Sequence, residues 1–133
     1  MKRFLAVALL FVGWAALPSS SSSQDDPKKD KKAANLWMKA KIGYSRAILL
    51  GLTEGDFDKI KTNAGLLNLV HLFEGAFPTT NEDYRQQMAV FSMANKELIR
   101  QAVAENIYGA TLAYNQLTVS CVQCHVIVRN GKK

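Results

Sequence analysis

Two cysteines and a histidine near the C-terminal end of the chain have types and spacing that suit covalent chemistry. Cys121 and Cys124 are separated by two residues, and His125 follows directly. In a C-x-x-C-H pattern the two thiols add to the two vinyl groups of a haem, and the adjacent imidazole reaches the iron. Because the chain has no other cysteine, the motif predicts one covalent haem c with His125 as the proximal iron ligand.

Two other uses of a cysteine pair fit the sequence less well. A redox C-x-x-C places its first thiolate at the N-terminus of a helix that follows a strand, whereas this pair lies late in a helical segment. A structural zinc site needs four ligands, and the only other histidine in the chain is His71. The sequence therefore favours haem over a redox dithiol and over a haem-free zinc or interaction module.

The N-terminal residues 1–23 have the layout of a secretory signal peptide. Lys2 and Arg3 precede an apolar run from Phe4 to Leu17, and the small, polar residues 18–23 form the region where we expect cleavage. The apolar run is shorter than the roughly 20 residues that cross a bilayer. These features predict a periplasmic or otherwise exported protein without a stable membrane span.

A charged segment separates the signal peptide from the rest of the chain. Residues 24–32 (QDDPKKDKK) offer no apolar side chain for burial, which predicts a solvated linker and a single domain over residues 33–133. Removal of the signal peptide takes away Lys2 and Arg3. The formal net charge then falls from +6 to +4, because 15 of the 17 basic side chains and all 11 acidic ones remain. A basic excess suits an acidic redox partner protein as well as ordinary solubility. No basic-aromatic pattern indicates nucleic acid.

Helical periodicity runs through this domain in four segments, and no alternating strand pattern competes with it. The predicted helices cover residues 34–52, 56–76, 81–106 and 109–129. Each predicted helix has one face expected to point inward. The residues of these faces are Met38, Ile42, Ser45, Leu49 and Leu52 in the first helix; Phe57, Ile60, Ala64, Leu67 and His71 in the second; Tyr84, Met88, Phe91, Asn95, Leu98 and Ala102 in the third; and Ala110, Tyr114, Leu117, Cys121, Cys124 and Val128 in the fourth. Because short connections favour antiparallel neighbours, the predicted fold class is all-α: an antiparallel four-helix bundle with covalent haem on its last helix.

This order of parts resembles the class II c-type cytochromes, which comprise cytochrome c′ and its low-spin, Met-ligated relatives. The resemblance rests on the signal peptide, the four helices, the C-x-x-C-H in the last helix, and Arg129 four residues after His125. It covers residues 33–133. The c-type cytochromes that attach haem near the N-terminus take a methionine ligand downstream, and the eight residues after His125 include none.

The resemblance implies roles for residues outside the motif. Arg129 would lie beside the haem propionates, although a basic residue also suits a helix C-terminus. In low-spin members a methionine early in the first helix binds iron, which makes Met38 the candidate distal ligand. In high-spin members an apolar residue occupies that region and the iron stays five-coordinate. His71 is a minor candidate ligand, and Met88 and Met93 are expected to pack in the core.

Two functions follow from these expectations. With Met38 as ligand, the protein is an exported monohaem cytochrome that exchanges electrons with a redox partner protein. With an open distal side, it binds a small gas, nitric oxide or carbon monoxide. Bundles of this family often pair through their first helices, so a homodimer is also considered. No nucleophile-base pair or paired carboxylates share a face, and the chain is not predicted to be an enzyme.

Overall fold

The computed structural model describes residues 27–75 and 80–131, and this part of the chain is all-helical, without strands. The four helices are α1 (Pro27–Glu54), α2 (Phe57–Gly75), α3 (Glu82–Val103) and α4 (Ile107–Asn130). The predicted all-α class and the number of helices are confirmed for the described residues. The signal peptide and residues 24–26 lie outside them.

Helix α1 begins at Pro27 rather than near Ala34, so residues 27–32 are helical and not an irregular linker. Proline suits the first helical position, because its missing N–H would have no partner inside the helix. Lysine is also a good helix former. A segment without apolar side chains can therefore extend a helix that is anchored further along the chain.

The turns use capping side chains that the sequence partly predicts. The side chain of Asn81 accepts a hydrogen bond from the backbone N–H of Tyr84 at 2.9 Å, as expected for an N-cap. Asp56 accepts one from the N–H of Lys59 at 2.8 Å. Gly55, with φ +69°, ends α1 in the left-handed conformation that glycine adopts without steric cost.

The turn between α3 and α4 differs most from the prediction. Helix α4 begins at Ile107 because Asn106 is its N-cap, with the side chain accepting a hydrogen bond from the N–H of Gly109 at 3.1 Å. The left-handed residue of this turn is Glu105, with φ +53°. The predicted start of the last helix at residue 109 is therefore two residues too late, since Gly109 lies inside the first turn of α4.

Neighbouring helices run antiparallel. Lys41, at the middle of α1, pairs with Glu74, late in α2. Gly51, late in α1, is buried against Ile60, early in α2, and a Cβ added at Gly51 would lie 2.9 Å from the Cγ1 of Ile60. Each helix packs most closely on its neighbour in sequence, and α1 and α4 contact each other less than any of these consecutive pairs.

The densely packed core lies in the half of the bundle that contains the α1–α2 and α3–α4 turns. Its buried side chains are Ile48, Ile60, Ala64, Leu67, Phe91, Ala94, Leu98, Ala102, Ala110, Ala113 and Leu117. In the other half, many inward side chains such as Met38, Met88 and Cys121 are only half-buried. The bundle is therefore filled at one end and less well filled at the end that carries the cysteine motif.

Four residues expected to point inward or to pack in the core are instead exposed. These are Ile42, Leu49, Val128 and Met93, of which Met93 is 62% exposed. Ile48, next to Leu49, is the fully buried residue of α1. Met88 and Met93 are five residues apart, a spacing that places them on different faces of α3.

Candidate functional site

Helix α4 continues through the cysteine motif, so the helical geometry determines the directions of the three motif side chains. Residues three and four positions apart share a helix face, and Cys121, Cys124 and His125 all line one cavity of about 190 Å³. Both cysteines are half-buried and are not joined in a disulfide, whereas His125 is exposed at the rim. The structure thus brings the three motif residues to a single cavity.

Side chains from all four helices form the cavity walls. The lining residues outside the motif are Met38, Lys41, Ile42, Ser45 and Arg46 from α1; Leu67 and Glu74 from α2; Tyr84, Met88 and Phe91 from α3; and Leu117 and Thr118 from α4. Most of this lining is apolar. Met38 therefore lies at the same cavity as His125, as the sequence predicts. Met88 also reaches the cavity and is not the simple core residue that was expected.

The cavity opens between α1 and α4, which pack less closely than the other three pairs of contacting helices. Ile42 and Arg46 on α1, and Thr118 and His125 on α4, are exposed residues of its lining. Nearer the packed core, the two helices are bridged by Tyr114, whose hydroxyl donates to the Ser45 carbonyl oxygen at 3.0 Å and lies 3.0 Å from the Ser45 hydroxyl. A group bound in the cavity would therefore have an edge at this opening.

A polar network that the sequence analysis did not anticipate crosses one wall of the cavity. The Lys41 ammonium pairs with the Glu74 carboxylate, and the side chains are only 12% and 15% exposed. The Tyr84 hydroxyl donates to Glu74 at 2.6 Å. Burial, and then this hydrogen bond, raise the pKa of Tyr84 above its usual range. The network joins α1, α2 and α3 at the end of the bundle that carries the motif.

His71 lies beside the cavity but is not part of its lining. Its ring packs on Phe91, with the centroids 5.0 Å apart. Burial, and then the positive charge of Lys41, lower the pKa of His71, so the imidazole is neutral near pH 7. Its buried Nδ1 has no hydrogen-bond partner among the described residues. A role of His71 in binding iron stays a prediction.

Arg129 lies in the last turn of α4, where its side chain is exposed. It follows His125 by one helical turn but does not line the cavity. Its expected position beside haem propionates stays a prediction.

The chemistry of the two thiols differs from that of a redox pair. Burial raises the pKa of both Cys121 and Cys124, whereas a reactive C-x-x-C thiol has a lowered pKa. Within residues 27–75 and 80–131, no group of three or more His, Cys, Asp or Glu side chains could hold a metal ion.

Comparison of the chain with protein-family models, with curated proteins and with solved structures found no match. Any proposal about function rests on the residues of the site and on the sequence motif. Across the described helices, none is both long and apolar enough to cross a membrane.

Proposed function

We propose that this chain is an exported monohaem c-type cytochrome that transfers electrons. The observation that supports this proposal is the convergence of Cys121, Cys124, His125 and Met38 on one largely apolar cavity. In this proposal the two thiols hold haem c through thioethers, and His125 is the proximal iron ligand. When bound, the haem supplies a one-electron couple whose potential depends on axial ligands, burial and nearby charge.

The residues of the cavity suit a haem. Leu67, Phe91 and Leu117 provide apolar walls for a flat, apolar ring system, and they exclude water from it. Arg46 at the rim is a cation suited to a carboxylate such as a propionate. The half of the bundle that contains the cavity is also the less well filled half, and a large apolar group would complete its packing.

In this proposal the other residues of the cavity bind and position the haem and take no part in a chemical reaction. The Lys41–Glu74 pair places no net charge in the cavity wall. The Tyr84 hydroxyl donates a hydrogen bond to Glu74, and its raised pKa keeps it protonated at pH 7. Electron transfer requires no acid-base group from the protein, which agrees with a site that offers apolar contact and iron ligands.

The absorbance spectrum of the protein purified from a host that matures c-type cytochromes tests this proposal. We expect a Soret band that responds to dithionite and that stays with the polypeptide after acid-acetone extraction. A protein without a Soret band would contradict the proposal, and metal analysis would then show whether zinc is bound instead.

Met38→Ala is expected to convert a low-spin ferrous spectrum to a high-spin one and to allow rapid carbon monoxide binding. The reason is that removal of the thioether would leave the distal iron position open. Met88→Ala is the matched control, because it removes the same side chain from another wall of the same cavity. The control should lower stability by about 2–5 kcal/mol, as large-to-small substitutions do, and leave the spectrum unchanged.

The alternative function is a five-coordinate, cytochrome c′-like protein that binds nitric oxide or carbon monoxide. Ile42, an apolar residue one helical turn after Met38, also lines the cavity and is of the type expected beside an open distal position. A wild-type protein that is already high-spin and binds carbon monoxide without delay would favour this alternative. A spectral change in Met88→Ala alone would instead assign the distal ligand to Met88.

A further inference from the structure

Helix α2 has apolar side chains on its outer side as well as on its inner side. Its inner residues Ala64 and Leu67 are buried in the core, whereas Leu69, Leu72 and Phe73 are between 51% and 65% exposed. Residues 62–73 contain no lysine, arginine, aspartate or glutamate. Because a helix that is apolar all round is usually covered on every side, we expect the outer side of α2 to have a binding partner.

The exposed apolar side chains of α2 lie beside the first half of helix α1. Glu74, directly after Phe73, pairs with Lys41 of α1, and α2 ends one residue later, at Gly75. Since the two helices are antiparallel, residues 27–40 of α1 continue past the last turn of α2. At about 1.5 Å per residue, this part of α1 is roughly 20 Å long.

This first half of α1 is strongly basic. Residues 27–41 (PKKDKKAANLWMKAK) contain six lysines and one aspartate. Lys32, Leu36 and Lys39 are exposed, and their spacings of four and three residues place them on one side of the helix. The surface that we call the α1–α2 end consists of Lys32, Leu36 and Lys39 of α1 and Leu69, Leu72 and Phe73 of α2.

Few carboxylates offset the lysines at this end of the bundle. Glu74 pairs with Lys41, and helix α3 begins with two acidic residues, of which Glu82 pairs with Arg85. Helix α4, which finishes at the same end, contributes Arg129 and no carboxylate. The α1–α2 end therefore combines a positive charge with exposed leucine and phenylalanine side chains.

We propose that the α1–α2 end binds the surface of a bilayer that contains anionic phospholipids. Clusters of about four to eight lysines and arginines attract such bilayers, and exposed leucine and phenylalanine side chains enter the boundary between head groups and acyl chains. The lysines would lie among the lipid phosphates while Leu72 and Phe73 enter that boundary. The protein would lie on the bilayer and not span it.

Charge favours a bilayer over a second copy of the chain as the occupant. A symmetric contact places the same surface of both copies together, so it would bring two sets of lysines close to each other at a cost. An anionic bilayer instead supplies the opposite charge. The inference goes beyond the proposed function, because binding to lipid requires no haem.

The test is co-sedimentation of the purified mature protein with vesicles of equal parts phosphatidylcholine and phosphatidylglycerol. We expect binding at low salt, release by added salt, and little binding to vesicles of phosphatidylcholine alone. Lys32→Gln combined with Lys39→Gln should weaken binding about thirtyfold, because each lysine near an anionic surface contributes about fivefold. Lys61→Gln combined with Lys96→Gln changes the net charge equally on α2 and α3 and should weaken binding less than about twofold.

A second pair of variants tests the apolar contribution. Leu72→Ser combined with Phe73→Ser should weaken vesicle binding by about tenfold or more, because less apolar surface then enters the bilayer. Met93→Ser combined with Leu112→Ser is the matched control, since these side chains of α3 and α4 are as exposed. The control should change binding less than about twofold. Far-ultraviolet circular dichroism checks that both variants fold.

Equal losses in the test variants and their controls would overturn the inference, and so would equal binding to both kinds of vesicle. A protein that ignores vesicles but forms a dimer in analytical ultracentrifugation, lost in Leu72→Ser with Phe73→Ser, would assign the α1–α2 end to a second copy instead. Vesicle binding by a protein without a Soret band contradicts only the proposed function. A haem-bearing protein that does not bind the vesicles contradicts only the membrane surface.

Discussion

Replacement of both Cys121 and Cys124 by alanine is expected to abolish covalent haem retention. Both thiols line the cavity from one face of α4, and the chain contains no other cysteine that could take their place. Acid-acetone extraction of the double variant should move all haem into the organic phase, and mass spectrometry should show the mass of the bare polypeptide. Each single variant should retain haem through the one remaining thioether.

Ser120→Ala is the matched control for the cysteine variants. Ser120 precedes Cys121 and is buried, and its hydroxyl donates to the Leu117 carbonyl oxygen at 2.7 Å within α4. It does not line the cavity. This variant should therefore keep its full haem mass on the polypeptide. Haem mass on the double cysteine variant after extraction would contradict covalent attachment at the motif.

Glu74→Gln is expected to destabilise the holoprotein by about 3 kcal/mol. The substitution keeps an acceptor for the Tyr84 hydroxyl but removes the charge that compensates Lys41, whose side chain is only 12% exposed. A buried ammonium without a counter-charge is costly because it has lost its hydration. Urea unfolding followed by far-ultraviolet circular dichroism measures the change in the free energy of unfolding.

Two control variants separate this effect from general disturbance. Addition of Lys41→Met to Glu74→Gln removes both charges and should restore most of the lost stability. Glu97→Gln alters an ion pair with Arg100 that is open to solvent, and it should change stability little because solvent screens exposed pairs. A loss in Glu74→Gln no larger than that in Glu97→Gln would show that the Lys41–Glu74 pair is not important for stability.

Local signals in the sequence predicted the helices well. The period of apolar residues predicted the inward faces of α2 and α3. The predicted start of the third helix at residue 81 is one residue from the observed start, because the capping side chain of Asn81 acts within one turn. The errors arose where neighbouring helices decide the outcome. Leu49 continues the apolar stripe of α1 but is exposed, whereas its neighbour Ile48 is fully buried.

The motif residues could be assigned to a site from sequence because the chemistry and the spacing lie within five consecutive positions. The network of Lys41, Glu74 and Tyr84 could not, since its members come from three helices whose relative rotations are set by packing. A signal was nevertheless present. Lys41 and Glu74 each occupy an inward position of an amphipathic helix, and a charge at such a position needs a partner.

The limited contact between α1 and α4 has a consequence for the order of maturation. Helices α2, α3 and α4 pack in succession, whereas α1 is held mainly by α2 and is connected to it through Gly55. In the proposed function, haem is joined to the thiols of Cys121 and Cys124 while they can still be reached. Under that proposal we expect attachment to occur on a three-helix intermediate, over which α1 closes last.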